Sequence, residues 1–480
     1  MERSFAAWAA CLSQRTNRSL AGAMVIPPAG AGADFAAQAA QWGMAEASGA
    51  GGSDFVFDAA RPPQRDMRTA SGLEAMDHAA RHMRVLAELM DRLAGEGMDL
   101  AGVRIAVCLV LEPKTAVLLR ALREAGAQVG VFCEPSDTDQ RVADQLRREG
   151  VVVEADVRWD AEETHRGALR LLDRIRPQII IDDGASFARL AALERPELIE
   201  GLVGVAEETT SGVRAFEAMA QASALTFPVV AVNDSVLKTG FDNAHGTGET
   251  CVTTMQAILG DDAFHGARVT VVGYGPVGRG FATRVRALGA RVTVCDTDPV
   301  AALKAVFDGF PAQDIDQAVR EADIVVSATG VRHTIAVEHM RLMRPGTALA
   351  VIGGIANEIA LDEVPGFTRR VGRDLTTIQV PGGPRLRLLA EGDGVNYTAG
   401  GGNPIEIMDL SFAVQVSAVA HLLATRGALT PGVHRLPPES DRRIATAALR
   451  VRGQSASHAV ADNGYDWTLT RFADSHSEAR

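Results

Sequence analysis

Positive charge is in short supply. The 480 residues hold 48 Lys+Arg against 60 Asp+Glu, a formal charge of −12. Wrapping nucleic acid or lying on an anionic membrane needs the opposite balance, so neither partner is expected. Cysteine is sparse as well. Cys11, Cys108, Cys133, Cys251 and Cys295 are odd in number, and no two stand as Cys-x-x-Cys. That argues against a disulfide framework and a structural zinc site, and fits a reducing cytosol; no metal is expected and the location is read as cytoplasmic. No uninterrupted apolar run reaches about 18 residues, so no membrane span is expected. The patch from Phe5 to Leu12 is too short for a secretory signal core and lacks a basic lead. Aromatics are few, at 5%. The rest, 47% hydrophobic and 22% charged, is ordinary for a globular protein with ample chain to bury a core. At roughly 100–200 residues per domain, two or three domains are expected.

The fold class read from the pattern is α/β: two Rossmann-like, doubly wound parallel-sheet domains with an N-terminal extension and a C-terminal tail. Residues 1–70, with Pro27, Pro28 and an Ala/Gly-rich stretch, read as an irregular extension. Met76, Ala79, Met83, Leu86 and Met90 recur at spacings of three and four, one face of an amphipathic helix. From 102 onward, short β-branched runs (103–111, 127–132, 151–153, 178–181) alternate with helical stretches, which implies parallel strands buried on both faces. The series 267–272, 291–294, 323–327 and 348–352 repeats the alternation. A helix follows over 411–425. The division expected is 71–245 plus 404–450 for a substrate-binding domain and 246–403 for a dinucleotide domain, with 451–480 as a tail.

The strongest motif is Gly273-Tyr274-Gly275-Pro276-Val277-Gly278. It directly follows the strand Val269–Val272 and opens a helix. Gly273 permits the tight turn, Gly275 lets the backbone approach a pyrophosphate, and Gly278 lets helix and strand pack closely. Asp296 ends the next strand about twenty residues on, where a carboxylate accepts from the adenosine ribose and repels a 2′-phosphate. NAD is therefore expected rather than NADP. Asp298 is the alternative for that role, or a helix cap.

Three polar clusters stand at the carboxyl ends of strands: Asp182-Asp183, Glu207-Glu208-Thr209-Thr210-Ser211, and Asn233 to Asn243 with Lys238 and Asp242. Open α/β sheets place ligands at that edge. Taken singly, each could be a cap or a surface charge. Together with a nicotinamide domain they suggest redox acid–base chemistry, Lys238 taking a hydroxyl proton while hydride leaves.

These residues resemble the S-adenosyl-L-homocysteine hydrolase family, from about 70 to 450. Gly204 to Val213 is similar to that family's Glu-Glu-Thr-Thr block. Asn233-Asp234-Ser235, Lys238 and Phe241-Asp242-Asn243 resemble its Asn-Asp-Ser block, and Gly273 to Gly280 and Pro431 to Pro437 match two more. The resemblance implies a tightly held NAD. It implies oxidation of a nucleoside 3′-hydroxyl, loss of the acidified C4′ proton, elimination at C5′, addition of water and return of the hydride. By resemblance, Lys238 and Asp242 serve the oxidation with Asn243 and Asn233 orienting, Glu208 holds the ribose hydroxyls, and Asp183 is an acid/base. Thr209, Thr210, Ser211, Asn243, Thr329, Gly330 and Asn396 would join Gly273, Gly275, Pro276, Val277, Gly278 and Asp296 at NAD.

The departures are specific. Val110, Gly354 and Asn403 stand where the family has histidine, Glu112 where it has threonine, Lys114 where it has glutamate, and Thr247 where it has cysteine. The family's C-terminal Lys-Pro-Asp-x-Tyr-Arg-Tyr is absent. Histidine is the side chain best suited to move protons near pH 7, and valine and glycine cannot. The chain thus reads as a divergent member acting on another nucleoside at C4′/C5′. Two alternatives stand beside it: a working adenosylhomocysteinase that uses Asp183, His245 or water instead, and an inactive NAD-bound regulator. The partners expected are a small nucleoside and further copies of the chain, as a dimer or tetramer.

Overall fold

Runs such as Ile179-Ile180-Ile181 carry no polar alternation, so they are stable only with both faces covered. The computed structural model describes residues 4–28, 30, 33–47, 53–60, 65–354, 357–370 and 373–458. In it these runs centre a seven-stranded parallel sheet. Its order is Gly432–His434, Pro228–Ala231, Gly204–Glu207, Ile179–Asp182, Arg104–Cys108, Gln128–Phe132, Val152–Glu154. The chain winds outward one way from Arg104–Cys108 and the other way from Ile179–Asp182. The crevice between those two strands, at their carboxyl ends, is where such sheets bind ligands.

The second sheet runs Arg291–Cys295, Arg268–Val272, Ile324–Ser327, Ala348–Val351, Arg385–Leu389, Leu375–Gln379. Its pairs are parallel except the last, an antiparallel edge hairpin. Its winding reverses between Arg268–Val272 and Ile324–Ser327. The fold is α/β with two doubly wound sheets.

The chain crosses between the sheets twice, outward through residues 239–259 and back through the loop before the helix Ile405–Ala424. By length and composition alone that helix could span a membrane, yet most of it is buried inside the molecule. It begins directly after Pro404, six residues earlier than its apolar pattern predicts.

The described residues within 1–70 do not form an irregular extension. Phe5–Thr16 and Ala33–Gln41 are helices, and Ala45–Glu46, Met24–Ile26 and Phe55–Val56 form a small parallel sheet. Phe5, Trp8, Leu12, Phe35 and Trp42 share one core with Cys251, Met255, Phe264 and Phe281 of the second domain. Tertiary burial overrides the weak local propensity of an Ala/Gly-rich stretch. The apolar stripe from Met76 to Met90 lies on two helices, Gly72–His82 and Arg84–Gly95, broken at Met83. The break has a cause: the buried Asp409 carboxylate accepts from Val85 N and Leu86 N and starts the second helix. The helix Pro438–Val451 runs into the expected tail, of which 459–480 lie outside the described residues.

Candidate active site

After Pro228–Ala231 the backbone turns at Asn233, and from Thr239 to Thr247 it winds as a π-helix. A π turn brings residue i+5 beneath residue i. Lys238 Nζ thereby meets both Asp242 Oδ2 at 2.8 Å and Asn243 Oδ1 at 3.2 Å. Lys238 is 5% exposed and Asp242 4%. Burial alone would push the Lys238 ammonium down; Asp242 and Glu208 outweigh it and hold the group above its ordinary value.

Two pairs of adjacent carboxylates reach the crevice, and each pair divides its duties. Asp182 accepts from the backbone of Asp183, Phe187 and Ala188 and so starts the next helix. Burial still pushes it up to about 7. Asp183 is left facing the crevice, raised by burial and pulled the other way by Lys238. Glu207 is fully buried and accepts from Gly184 N, Ala185 N, Thr209 N and Thr209 Oγ1, so it is no solvated charge. Glu208 lies beside Lys238, pushed up to about 8 by burial, with Lys238 opposing.

The flanking polar residues are ordered by one another. Thr209 caps the helix Thr210–Gln221 through Gly212 N, and Ser211 Oγ donates to Thr209 Oγ1. Thr210 Oγ1 donates to Asn233 Oδ1 at 3.0 Å.

The glycine motif occupies the reversal of the second sheet. Gly273 has φ +99, and a Cβ there would press on the Ala328 carbonyl at 3.0 Å. A Cβ on Gly278 would lie 1.9 Å from Gly273 O. A Cβ on Gly275 would meet nothing within 4 Å, so its backbone is open to a ligand at the start of the helix Pro276–Ala287, with Val277 in the first turn. Thr329 and Gly330 follow Ile324–Ser327 across the reversal. Asp296 accepts from Tyr274 N at 2.7 Å and Asp298 N at 2.9 Å, which fixes its carboxylate at the end of the strand Arg291–Cys295. Asp298 instead caps the helix Pro299–Phe307 through Val300 N. Open backbone donors and an acidic strand end fit a dinucleotide.

Residues 65–195 match the family model for S-adenosyl-L-homocysteine hydrolase, and 243–402 that for its NAD binding domain. An S-inosyl-L-homocysteine hydrolase from Methanopyrus kandleri is 39% identical over 387 residues, 80% of this chain and 91% of that protein. An adenosylhomocysteinase from Archaeoglobus fulgidus is 39% identical over 389 residues, 80% of this chain and 94% of that protein. The chain belongs to the S-adenosyl-L-homocysteine hydrolase family. It is an NAD-dependent enzyme of that family. An S-inosyl-L-homocysteine hydrolase from Methanothermobacter thermautotrophicus is 39% identical over 380 residues, 78% of this chain and 89% of that protein.

Against that family background the substituted positions take on structural work. Asn403, 1% exposed, donates to Asp242 Oδ1 and to Thr247 Oγ1, and accepts from Asn396 Nδ2 at 2.9 Å. It ties the returning crossing to the outgoing one and holds Asp242 with an amide that cannot titrate. Thr247 and Asn403 had read only as losses; their partnership across 156 residues has no local signal. Lys114, 1% exposed, donates to Glu112 Oε2 and Asn17 Oδ1, each at 2.6 Å, and to Gly401 O at 3.2 Å. Asn17 comes from the N-terminal module, which also bonds to both crossings. Leu20 N and Ala21 N donate to Glu249, Ile405 N donates to Asn17 O, and Arg18 pairs with Glu406. His245 lines a cleft with Phe241, Arg279 and Arg284 that also reaches Gly275 and Pro276 of the glycine motif.

Proposed function

We propose that the chain acts on a ribonucleoside other than S-adenosyl-L-homocysteine, through transient oxidation of the 3′-hydroxyl. Loss of the C4′ proton then leads to elimination and addition, or to epimerisation, at C4′/C5′. The observation that carries this reading is a contrast within one site. Lys238, Asp242 and Glu208 are buried together with Asn243 and Asp183 half-buried beside them, whereas Val110, Gly354 and Asn403 offer no imidazole at the matched positions.

NAD would be held by Gly273 to Gly278, Asp296, Thr329 and Gly330 together with Thr209, Thr210, Ser211, Asn243 and Asn396, and would supply reversible hydride acceptance. Lys238 stands as an ammonium; once its proton has passed to solvent, the free amine takes up the hydroxyl proton. Asn243 and Asn233 orient the pair and the hydroxyl. Glu208 accepts from the ribose hydroxyls. Asp183, a carboxyl raised by burial with Lys238 opposing, is the group suited to remove the C4′ proton and return it.

A second reading, hydrolysis of S-adenosyl- or S-inosyl-L-homocysteine, is favoured by the relatives that bear those names at equal identity. One sample separates the two. The NAD-loaded protein is incubated in deuterated water with a nucleoside panel that includes both thioethers. Deuterium at C4′ without homocysteine release supports the first reading. Fast homocysteine release replaces it with the second, and neither signal with any nucleoside refutes both.

The reading also places the protein in a reducing cytosol, supported by five free thiols, and in a homo-oligomer. Val300, Leu303, Val306 and Phe307 are all exposed on the helix Pro299–Phe307, an apolar face of the kind that subunit contacts cover.

A further inference from the structure

Three polar atoms of one buried patch have no hydrogen-bond partner among the described residues: Glu208 Oε1, Gln415 Oε1 and Ser411 Oγ. Glu208 is 5% exposed, and Gln415 and Ser411 are 0% exposed. Ser411 and Gln415 are one helical turn apart on Ile405–Ala424 and project from the same face. That face packs on the end of the strand Gly204–Glu207, where Gln415 Nε2 donates to Glu208 Oε2. The bond settles which carboxyl oxygen is used and which is left over. A buried acceptor without a donor is costly, and it persists where a ligand supplies the donor. A glutamine on the buried face of this helix also gains nothing that leucine or methionine would not, unless its amide has a task.

The geometry points to Gln415 as a positioning residue and specificity determinant: by tying Glu208 Oε2 it leaves Glu208 Oε1, together with the Gln415 and Ser411 oxygens, to take up the hydroxyl donors of a ribose cis-diol, so that ribonucleosides are selected over 2′-deoxyribonucleosides. This rests on the reading of Glu208 as the ribose-hydroxyl acceptor. Oxidation needs only the 3′-hydroxyl, so a 2′-deoxy substrate keeps the chemistry and loses the binding partner. Its complex leaves a desolvated oxygen unpaired, the situation in which a polar site discriminates most strongly. Gln415 also acts on the charge of Glu208, since its donated hydrogen bond stabilises the carboxylate against the burial that pushes it up.

The test uses NAD-loaded wild-type, Gln415→Met, Ser411→Ala and Glu208→Gln proteins. Growth of the reduced-nicotinamide absorbance is followed with adenosine, inosine and their 2′-deoxy counterparts across neutral and alkaline pH. Wild type should prefer the ribonucleoside by about 10- to 100-fold in kcat/KM, the cost of leaving one buried polar group unpaired. Gln415→Met should bring the preference to within about threefold, through KM more than kcat, and move the acidic limb of the profile to higher pH because the carboxylate has lost its donor. If Glu208→Gln abolishes the preference and Gln415→Met keeps it, the Gln415 assignment is overturned while the Glu208 reading stands. If Glu208→Gln keeps it too, both fall. Should Gln415→Met not retain NAD, Ser411→Ala decides, because loss of one hydroxyl should lower the same ratio and an unchanged ratio overturns the proposal. Where oxidation is slow, the Kd values of the four nucleosides give the ratio, and equal Kd values for ribo and deoxy forms in wild type refute it.

Discussion

Replacing Glu208 with glutamine should make the protein more stable in alkali and leave its stability in acid unchanged. Glu208 is 5% exposed, and burial moves its carboxyl from 4.5 to about 8. A carboxyl raised on folding contributes stability below its unfolded value. That contribution is lost as pH climbs through the folded value, since the folded state must then ionise a buried group. The window therefore runs from 4.5 to about 8. At about 1.4 kcal/mol per pH unit, the ionised folded state is penalised by about 5 kcal/mol above that window. Glutamine has the shape of the protonated acid, and its carbonyl still accepts from Gln415, so the penalty vanishes in the variant. At about 2–4 °C per kcal/mol, the midpoint of thermal unfolding should rise by on the order of 10 °C near pH 9, and by almost nothing near pH 4. Differential scanning calorimetry at both pH values reads the effect. An equal shift at the two ends, or a fall in alkali, would refute the assignment of a burial-raised carboxyl. Gained stability with lost nucleoside binding is the exchange expected where function keeps a costly group in place.

Gly278→Ala should abolish retention of NAD, because the new Cβ would lie 1.9 Å from Gly273 O and backbone cannot give way as a side chain could. Nucleotide absorbance of the purified variant checks this, along with loss of the stabilisation of about 2.7 kcal/mol that NAD at 100 times its Kd gives wild type. Lys238→Met should keep NAD yet form no reduced nicotinamide from any nucleoside; oxidation at the wild-type rate would remove Lys238 from the chemistry. Asn17→Ala takes an acceptor from the buried Lys114 and puts alanine at φ +51, so unfolding should be easier by about 1–3 kcal/mol. A denaturant midpoint equal to wild type would show that the N-terminal module does not anchor Lys114.

The strands between 103 and 352 were legible to within a few residues at their ends because unbroken β-branched runs between helices admit few other structures, whereas the edge hairpin Leu375–Gln379 and Arg385–Leu389 was not expected. The glycine motif was legible because each glycine answers a steric demand that the backbone then displays, at Gly273 and Gly278 above all. Which of two adjacent carboxylates turns toward the crevice was not legible from pattern. Asp182 and Asp183, or Glu207 and Glu208, differ only in which has backbone N–H groups within reach, and that depends on the turn that follows. The N-terminal module escaped for another reason. Trp8, Leu12 and Trp42 are buried against residues more than two hundred positions away, while the local composition speaks of coil. Gln415 was invisible inside an apolar helix whose periodicity reads as core.

The N-terminal module also sets a timetable for the chain as it is made. Its apolar side chains and its backbone find their partners at Glu249 to Phe281 and again at Ile405 and Glu406. At roughly 5–20 residues per second, about 10–40 s pass between completion of residue 58 and the first of these partners, and about 20–70 s before the second. Through that interval Phe5, Trp8, Phe35 and Trp42 have one another for cover and not yet the second domain. A ribosome slowed within residues 60–250 lengthens the exposure in direct proportion. The fraction of nascent chain captured by holdase chaperones should therefore climb with the delay, and fall again when residues 4–58 are supplied with charged side chains in place of Trp8 and Trp42.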